Sequence, residues 1–260
     1  MSYETVIVER EEKVGIIKLN RPPMNPLSTK LYLELHDAVT ELDNDAEIGA
    51  IIITGNGDKA FAAGLDIKEV LGKSIVEALN FCWAGPRKAF DKLTGIEKPT
   101  IAAVFGLALG GGCEVALCCD FRIASEDAIF GLPEINLGIM PGSGATQRLT
   151  RLVGSSRAKE LLFSGDNINA QEAYRIGLAN KVVPKDKLME EAKAMAKKLS
   201  KKPKVALGLI KKCVDNGLNT DLASGLTMEM NAFSIAFASE DGREGINAFN
   251  EKRKPVYKGK

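Results

Sequence analysis

The order of strand-like and helix-like segments along this chain predicts an α/β fold. Apolar runs at residues 49–54, 101–104 and 121–124 have the length and the β-branched content of buried strands. Segments with helical periodicity separate these runs, and the connections are short. Since strands joined through helices pair in parallel by right-handed crossovers, we expect βαβ units stacked around one core.

The chain before the first of these runs predicts a hairpin followed by a helix. β-branched residues at 3–9 and 13–19 flank a charged turn at residues 11–13. Ser28 is a suitable N-cap, and apolar residues recur at helical spacing from there to about Asp45. The first buried strand then follows this helix.

The segment between the first and second buried strands predicts a turn, a tight loop and a kinked helix. Glycine and polar residues turn the chain at 55–58, and the small residues of 59–68 let the backbone approach a ligand. Residues 74–95 have helical periodicity, with a kink expected at Gly85 and Pro86. The helix carries Val76 and Leu79 as well as three aromatic residues, Phe81, Trp83 and Phe90. We interpret the aromatic side chains as core or acyl-pocket lining rather than as a stacking platform.

From Gly142 onward the pattern is mainly helical. A lysine-rich amphipathic helix at 186–199 is expected to present a solvated face, and Pro203 is expected to begin another helix. The buried side of that helix should carry Val205, Leu209, Ile210 and Val214. The remaining predicted helices cover residues 146–152, 156–163, 170–176, 219–238 and 241–252.

Composition describes an ordinary globular protein and excludes several classes of function. At 260 residues the chain is long enough for one large core or two small ones; it is 45% hydrophobic and 27% charged, with a net charge of +1. Apart from the basic tail at 252–260, no dense block of lysines and arginines is interleaved with aromatic residues, so nucleic-acid binding has no electrostatic support. The apolar window at 101–119 has glycines and Glu114 at its centre, which argues against a membrane span.

Cysteine and histidine usage argues against disulfide and metal frameworks. The five cysteines include no CxxC spacing, and His36 is the one histidine. We expect His36 to be structural, because a metal cluster or a catalytic triad needs further partners. The N-terminal residues lack the pattern of a secretory signal, so we expect a cytoplasmic protein.

The residues that most clearly indicate chemistry lie between residues 99 and 146. Three glycines at 110–112 follow an apolar run, Glu114 comes two positions after the last of them, and Glu134 follows in the motif GLPE. A helix that begins at the glycines would point free N–H groups at a ligand and place Glu114 in its first turn. Taken singly, a glycine run can be a loose loop and a glutamate a surface residue. Together, backbone donors and carboxylates supply what enolate chemistry requires.

Several separate motifs in this region resemble the enoyl-CoA hydratase (crotonase) family. The first spans residues 101–120, from IAAV through GGGCE to CD. The resemblance continues through FGLPE at 130–134, GIMPG at 138–142 and TQRL at 146–149, and it covers nearly the whole chain. It implies an α/β fold of the crotonase-like (ClpP/crotonase) type, a spiral of ββα units.

The resemblance also implies how the chain is divided and assembled. Residues 1–200 would form the spiral core with the active site. Residues 201–260 would form a C-terminal helical region that packs against neighbouring subunits. Such proteins are homotrimers, often paired into homohexamers, and we expect no nucleic-acid or membrane partner.

The catalytic roles implied by the resemblance fall on five residues. The N–H groups of Leu65 and Gly111 would form the oxyanion hole. Glu114 would hold and activate the water, Glu134 would deliver a proton to C2, and the Gly142 N–H would help to position the water or its glutamate. Because two carboxylates converging on one water repel each other, we expect one of them to have a raised pKa.

Coenzyme A would be bound as part of the substrate, so no separate cofactor and no metal are expected. The resemblance places Ala63 against the adenine, Lys68 near a phosphate, and Leu65 beside the thioester. A neighbouring subunit would contribute Phe233 and Lys252. From the sequence alone the two lysines could equally be surface charges, and Phe233 could be a core residue.

The implied activity is reversible hydration of a 2-enoyl-CoA at its C2=C3 bond to give a 3-hydroxyacyl-CoA, as in fatty acid β-oxidation. An enoyl-CoA isomerase, or a hydratase of cyclic or dienoyl thioesters, is the alternative on the same fold. A non-catalytic binder of acyl-CoA or RNA is the alternative from another class. Leu65 stands where many hydratases have alanine, and Leu132 stands where a polar residue is frequent. These two differences leave the acyl group open.

Overall fold

Ten strands and eleven helices form along residues 3–260, which are the residues that this computed structural model describes. The strands are β1 Val6–Glu11, β2 Val14–Leu19, β3 Ala50–Gly55, β4 Ala60–Ala62, β5 Thr100–Val104, β6 Leu107–Leu109, β7 Phe121–Ser125, β8 Ile129–Gly131, β9 Asn167–Asn169 and β10 Lys181–Val183. The helices of the first half are α1 Thr29–Asn44, α2 Ile75–Cys82, α3 Lys88–Gly95 and α4 Gly111–Leu117. Those of the second half are α5 Ala145–Val153, α6 Ser155–Ser164, α7 Ala170–Arg175, α8 Leu188–Leu199, α9 Lys204–Gly217, α10 Leu222–Ala238 and α11 Glu240–Asn250.

The larger sheet has six strands in the order β1-β2-β3-β5-β7-β10. β1 and β2 form the predicted antiparallel hairpin, and the other neighbours pair in parallel. The register aligns Ile16 with Ile52, and Ile52 with Ile101. These side chains pack with α8 on one face, while alternate residues such as Ile53 pack with α1 on the other. Both faces are therefore buried, which explains the continuous apolar runs.

The smaller sheet has four strands in the order β4-β6-β8-β9. Its first three strands are parallel, and β9 is antiparallel to β8. Each of β3, β5 and β7 in the larger sheet leads, after a short turn, into β4, β6 or β8 in the smaller one. The repeated step from one sheet to the other winds the chain into a spiral, which confirms the predicted fold class.

The three parallel strands of the smaller sheet place the functional residues at one edge. Their carboxyl ends lie together because the strands run in the same direction. Leu65 follows β4, Gly111 follows β6 and Glu134 follows β8, each within three residues of the strand end. The spiral therefore gathers segments that are up to about seventy residues apart in sequence.

Helix α1 begins where the sequence predicts. The Ser28 hydroxyl oxygen accepts a hydrogen bond from the Leu31 N–H at 3.2 Å, which satisfies one of the free donors of the first turn. The helix runs to Asn44. Its buried side then covers the larger sheet.

The kinked helix is interrupted by a π-helical turn at Trp83–Arg87 that contains Pro86. Proline has no N–H to donate, so the regular pattern is broken there. The prediction of a buried role is right for Phe90, which is buried, and for Phe81, which is half-buried against the core. A core role is wrong for Trp83, which is more than half exposed, while pocket lining by Trp83 stays a prediction. Val76 and Leu79 are also more than half exposed.

The C-terminal region has little core of its own. Within residues 201–260 the buried residues are Gly208, Asp241 and Ala248. Val205 and Leu209 are half-buried as predicted, but Ile210 and Val214 are about 60% exposed, so the prediction of a buried side was wrong for them. α9 packs against the core along one edge only, and its opposite side is exposed.

Among residues 3–260, none of the helices is long and apolar enough to cross a bilayer. α8 packs on the larger sheet through Leu188, Ala192 and Ala196 and carries its lysines outside, as predicted. The five cysteines are free thiols.

Candidate active site

The glycine run is where β4 and the start of α4 approach most closely. A Cβ atom added at Gly112 would lie 2.0 Å from the Ala62 carbonyl oxygen, a distance that no side chain can occupy. Gly110 has a φ of 49°, in the region that glycine adopts without strain. The glycines are therefore required by packing and by the turn between β6 and α4. The first turn of the helix lies directly against the loop after β4.

Two backbone donors face the same space at this junction. A Cβ atom added at Gly111 would lie 3.7 Å from the Leu65 nitrogen. Within residues 3–260, neither the Leu65 nor the Gly111 N–H donates to a protein acceptor. Unpaired N–H groups that converge on one point are what an oxyanion hole requires. The structure thus brings together the two predicted donors.

The loop that carries Leu65 is fastened on both sides to the segment before α1. The Leu27 N–H donates to the Gly64 carbonyl at 2.8 Å, and the Asp66 N–H donates to the Leu27 carbonyl at 2.9 Å. The Asp66 carboxylate also pairs with Arg21 at 2.9 Å. These bonds leave the intervening Leu65 N–H aimed at the site.

Asn25 is a positioning residue that sequence reasoning did not identify. It is fully buried, has a φ of 50°, and its side-chain amide donates to the carbonyls of Asn56 and Ala60 at 2.9 and 2.8 Å. Its own oxygen accepts from the Arg21 N–H at 2.9 Å. In the sequence Asn25 stands between Pro23 and Pro26, and this pattern also fits an ordinary turn, so it does not indicate a buried role.

Glu114 lies in the first turn of α4, as predicted, and is 3% exposed. Its Oε1 accepts hydrogen bonds from the N–H groups of Ser143 and Ala145, at 2.9 and 3.0 Å. Burial raises the pKa of this carboxyl above its usual value, and the two backbone donors partly offset the increase. The donors that hold Glu114 thus come from the residues just after Gly142. The Gly142 residue is exposed, and its contact with the water stays a prediction.

Glu134 lies in a 3-10 turn at Pro133–Leu137, beside the glycine run. Its Oε1 would be 3.0 Å from a Cβ atom added at Gly110, and its buried Oε2 has no hydrogen-bond partner among residues 3–260. Burial, and to a smaller extent the charge of Glu114, raise the pKa of Glu134 to about 7. One raised pKa was predicted from mutual repulsion. Both carboxyls have one, and burial is the larger cause.

Two further side chains surround this pair of carboxyls and were not identified from the sequence. Tyr32 projects from α1 and is 2% exposed, and its hydroxyl would be 3.1 Å from a Cβ atom added at Gly111. Cys82, at the end of α2, is near enough to Glu114 for that charge to raise the pKa of its thiol, after burial, which is the larger cause. Helical periodicity places position 32 on the buried side but does not show what it faces.

The predicted coenzyme A contacts occupy two parts of the chain. Ala63 is half-buried after β4, and Lys68 is exposed in the short turn that Asp66 caps. Phe233 and Lys252 belong to the C-terminal region, and both are exposed. The alternative of core packing for Phe233 is wrong, since it is 66% exposed and stacks only on Phe237, at 5.9 Å. The coenzyme A role of all four residues stays a prediction.

No group of three or more His, Cys, Asp or Glu side chains within residues 3–260 is arranged to hold a metal ion. Leu132 is buried in the main core and stands at the start of the turn that carries Glu134, without a side-chain capping hydrogen bond.

The chain is similar to known proteins over its whole length. The model of the family described as Enoyl-CoA hydratase/isomerase matches residues 9–260. Crotonyl-CoA hydratase of Syntrophomonas wolfei is 48% identical over 258 residues, which are 99% of each chain. Short-chain-enoyl-CoA hydratase of Clostridium acetobutylicum is 46% identical over 98% of this chain and 97% of its own length. A crystal structure of enoyl-CoA hydratase from Bacillus anthracis has a TM-score of 0.94 and 42% identity, covering 99% of this chain and 100% of that one.

Proposed function

The chain belongs to the enoyl-CoA hydratase/isomerase family, and we infer that it is an enoyl-CoA hydratase. It adds water reversibly across the C2=C3 bond of a 2-enoyl-CoA and forms a 3-hydroxyacyl-CoA. One observation carries the inference: the buried carboxyl of Glu114 and the half-buried carboxyl of Glu134 lie beside two backbone N–H groups that have no partner within residues 3–260. Each component has a separate task in the reaction.

The oxyanion hole stabilises the charge that develops on the thioester. When the water oxygen bonds to C3, the electrons of the C2=C3 bond move toward C1, and the thioester oxygen becomes an enolate oxygen. The N–H groups of Leu65 and Gly111 donate to that oxygen. Each such donor contributes about 3 to 4 kcal/mol of transition-state stabilisation.

Glu114 acts as the base that takes a proton from the water. Its Oε1 is held by two N–H groups, which stabilise the ionised form, and the proton is taken up by this carboxylate. As the oxygen bonds to C3, the proton passes to this carboxylate. General base catalysis of this kind contributes about a hundredfold to ten-thousandfold in rate.

Glu134 acts as the acid that protonates C2. Its buried Oε2 has no partner within residues 3–260, so the neutral carboxylic acid is favoured, and its pKa is about 7. It gives its proton to C2 as the enolate collapses. The pair of glutamates then holds the same single proton as before, but on Glu114. The difference in hydrogen bonding between the two carboxyls supports this assignment of acid and base.

The test is turnover of crotonyl-CoA by the purified protein, followed as loss of the enoyl-thioester absorbance, with the product identified by mass. A hydratase gives a product that is heavier by one water. An isomerase converts a 3-enoyl-CoA without change of mass, and a non-catalytic binder converts neither. Absence of water addition to crotonyl-CoA and to cyclic, dienoyl and branched enoyl-CoA substrates would overturn the assignment.

We further propose that residues 1–200 form the catalytic core and residues 201–260 an oligomerisation region, in a homotrimer or a dimer of trimers. The support is the apolar face that α10 leaves exposed, which includes Phe233 at 66% exposure. In such an assembly Phe233 and Lys252 would meet coenzyme A bound at Ala63 and Lys68 of a neighbouring subunit. We propose a cytoplasmic location and a role in β-oxidation of fatty acids, where the five free thiols would stay reduced.

A further inference from the structure

The Tyr32 side chain is buried without a use for its hydroxyl in the protein itself. The residue is 2% exposed, and its ring packs edge-on against Phe81 and Phe90, with centroids 6.4 and 5.7 Å apart. Within residues 3–260 the hydroxyl makes no hydrogen bond, and its oxygen is not among the fully buried unpaired atoms, so it keeps some accessible surface. Phenylalanine would fill the same space but would offer no hydrogen-bond donor there. The hydroxyl therefore calls for a partner that is not part of the chain.

The hydroxyl faces the reaction site. A Cβ atom added at Gly111 would lie 3.1 Å from the Tyr32 oxygen and 3.7 Å from the Leu65 nitrogen. The missing side chain at position 111 thus leaves one space between the hydroxyl and an oxyanion donor. Glu114 follows one helical turn later, on the same helix.

The electrostatic surroundings keep this hydroxyl protonated. Burial raises the pKa of Tyr32 well above its usual value, and the charges of Glu114 and Glu134 raise it further. The side chain is therefore a neutral phenol at every working pH. A neutral phenol can donate one hydrogen bond, whereas the two carboxylates around it, when ionised, can only accept.

We propose that the Tyr32 hydroxyl donates a hydrogen bond to the oxygen that this enzyme adds at C3, and so acts as a positioning residue for water and for the 3-hydroxyl group. The proposal rests on the hydratase function proposed above. A water that attacks C3 uses one lone pair for the new bond and gives a proton to Glu114. Its second lone pair is free to accept a hydrogen bond from Tyr32. That bond fixes the direction of the lone pair that attacks C3. After the reaction the same oxygen is the 3-hydroxyl, and the same bond holds the product.

The experiment compares Tyr32→Phe with wild type in both directions of the reaction. The rates are measured for hydration of crotonyl-CoA and for dehydration of 3-hydroxybutyryl-CoA, together with the thermal unfolding temperature. Tyr3→Phe is the matched control, because it also removes one tyrosine hydroxyl, which is hydrogen-bonded at 2.8 Å to Glu41, nine residues after Tyr32 in α1. The control should keep wild-type kinetics.

Tyr32→Phe should lower kcat/KM about three- to tenfold in both directions, as expected for loss of one neutral hydrogen bond. The ratio of kcat/KM for hydration to kcat/KM for dehydration is fixed by the equilibrium constant of the reaction, so both values must fall by the same factor. The hydroxyacyl substrate already carries the C3 oxygen when it binds, so loss of the bond to Tyr32 should raise the KM for dehydration. The enoyl substrate lacks that oxygen, so the same loss should lower the kcat for hydration. The unfolding temperature should stay the same, because the hydroxyl makes no hydrogen bond within residues 3–260.

Two results would overturn the proposal. One is Tyr32→Phe with wild-type kinetics in both directions. The other is a variant that loses stability along with activity, since a hydroxyl without a protein partner cannot stabilise the unliganded fold. Failure of the wild-type protein to hydrate any enoyl-CoA is a different outcome, because it would remove the proposed function itself.

Discussion

At the scale of single residues, Glu114 and Glu134 differ in how their oxygens are satisfied. Both carboxyls are buried enough for their pKa values to rise. Glu114 has two backbone donors on one oxygen, whereas the buried oxygen of Glu134 has no partner within residues 3–260. The two donors partly stabilise the ionised form of Glu114, whereas the buried oxygen of Glu134 has no such donor within residues 3–260. We base the proposed assignment of base and acid on this difference rather than on repulsion between the two carboxyls.

The pKa of Glu134 predicts how activity depends on pH. Since the acid must be protonated to deliver its proton, kcat/KM for hydration should fall above about pH 7, tenfold for each further pH unit. The measurement is the pH profile of crotonyl-CoA hydration between pH 5.5 and pH 9, values that bracket this pKa by roughly two units. The unfolding temperature over the same range is the control for loss of folded protein. A rate constant that stays level up to pH 9 would contradict the assignment of Glu134 as the acid.

The sequence identifies the chemical residues but not all of those that position them. Glu114 is predictable because a glycine run, a helix start and a carboxylate follow each other within five positions. Tyr32 and Asn25 act through contacts with segments some thirty to eighty residues away, and no local pattern reports such contacts. The donors at Ser143 and Ala145 are backbone groups, so their side chains carry no signal.

At the scale of the elements, the segment before α1 holds the oxyanion loop through one buried side chain. The Asn25 amide satisfies carbonyls on the turn after β3 and on β4. The Leu27 backbone then pairs with both neighbours of Leu65. The position of the first oxyanion donor therefore depends on a residue forty positions earlier in the chain.

Asn25→Ala should lower both stability and activity. The change leaves buried carbonyls without partners and places alanine at a positive φ, so we expect a loss of about 3 kcal/mol in the free energy of unfolding. Chemical denaturation with parallel activity assays measures both. Asn216→Ala, at an exposed asparagine of α9, is the matched control and should change little.

Asn25→Gly separates the two contributions, because glycine adopts the positive φ without strain but lacks the amide. It should be destabilised nearly as much as the alanine variant. Wild-type stability for the glycine variant would contradict the role given to the amide.

The ends of helices and strands can largely be predicted from the sequence, but how these elements pack against each other is harder to predict. The N-cap at Ser28 and the start of α4 at Gly111 follow from local chemistry. A kink at Pro86 is also predictable, but the π-helical turn around it is not, because it depends on the packing of α3 against α1. The same turn decides that Trp83 is exposed while Phe90 is buried.

At the scale of the whole molecule, the apolar side chains of α10 form an exposed stripe. They recur at helical spacing and are each at least half exposed; they are Leu222, Leu226, Met230, Phe233 and Phe237. Exposed apolar stripes of this length are typical of surfaces that a partner covers. Sequence periodicity alone shows such a stripe as buried, because it cannot distinguish a core contact from a contact between subunits.

Met230→Glu should shift the protein from an oligomer to a monomer, because it places a charge in the apolar stripe. Light scattering after size-exclusion chromatography gives the mass directly. Gln171→Glu adds the same charge on an exposed position of α7 and should keep the oligomer. A wild-type protein that is monomeric at micromolar concentration would contradict the proposed assembly.

The most direct test of the two-carboxylate account is hydration of crotonyl-CoA by Glu114→Gln, Glu134→Gln and the double variant. Glutamine keeps the shape of each side chain and removes its capacity to carry a proton. Each single change should reduce kcat by about a hundredfold to ten-thousandfold, and the double change should cost far less than the product of the two, because the residues act as a unit. Near-wild-type turnover by either single variant would contradict the account.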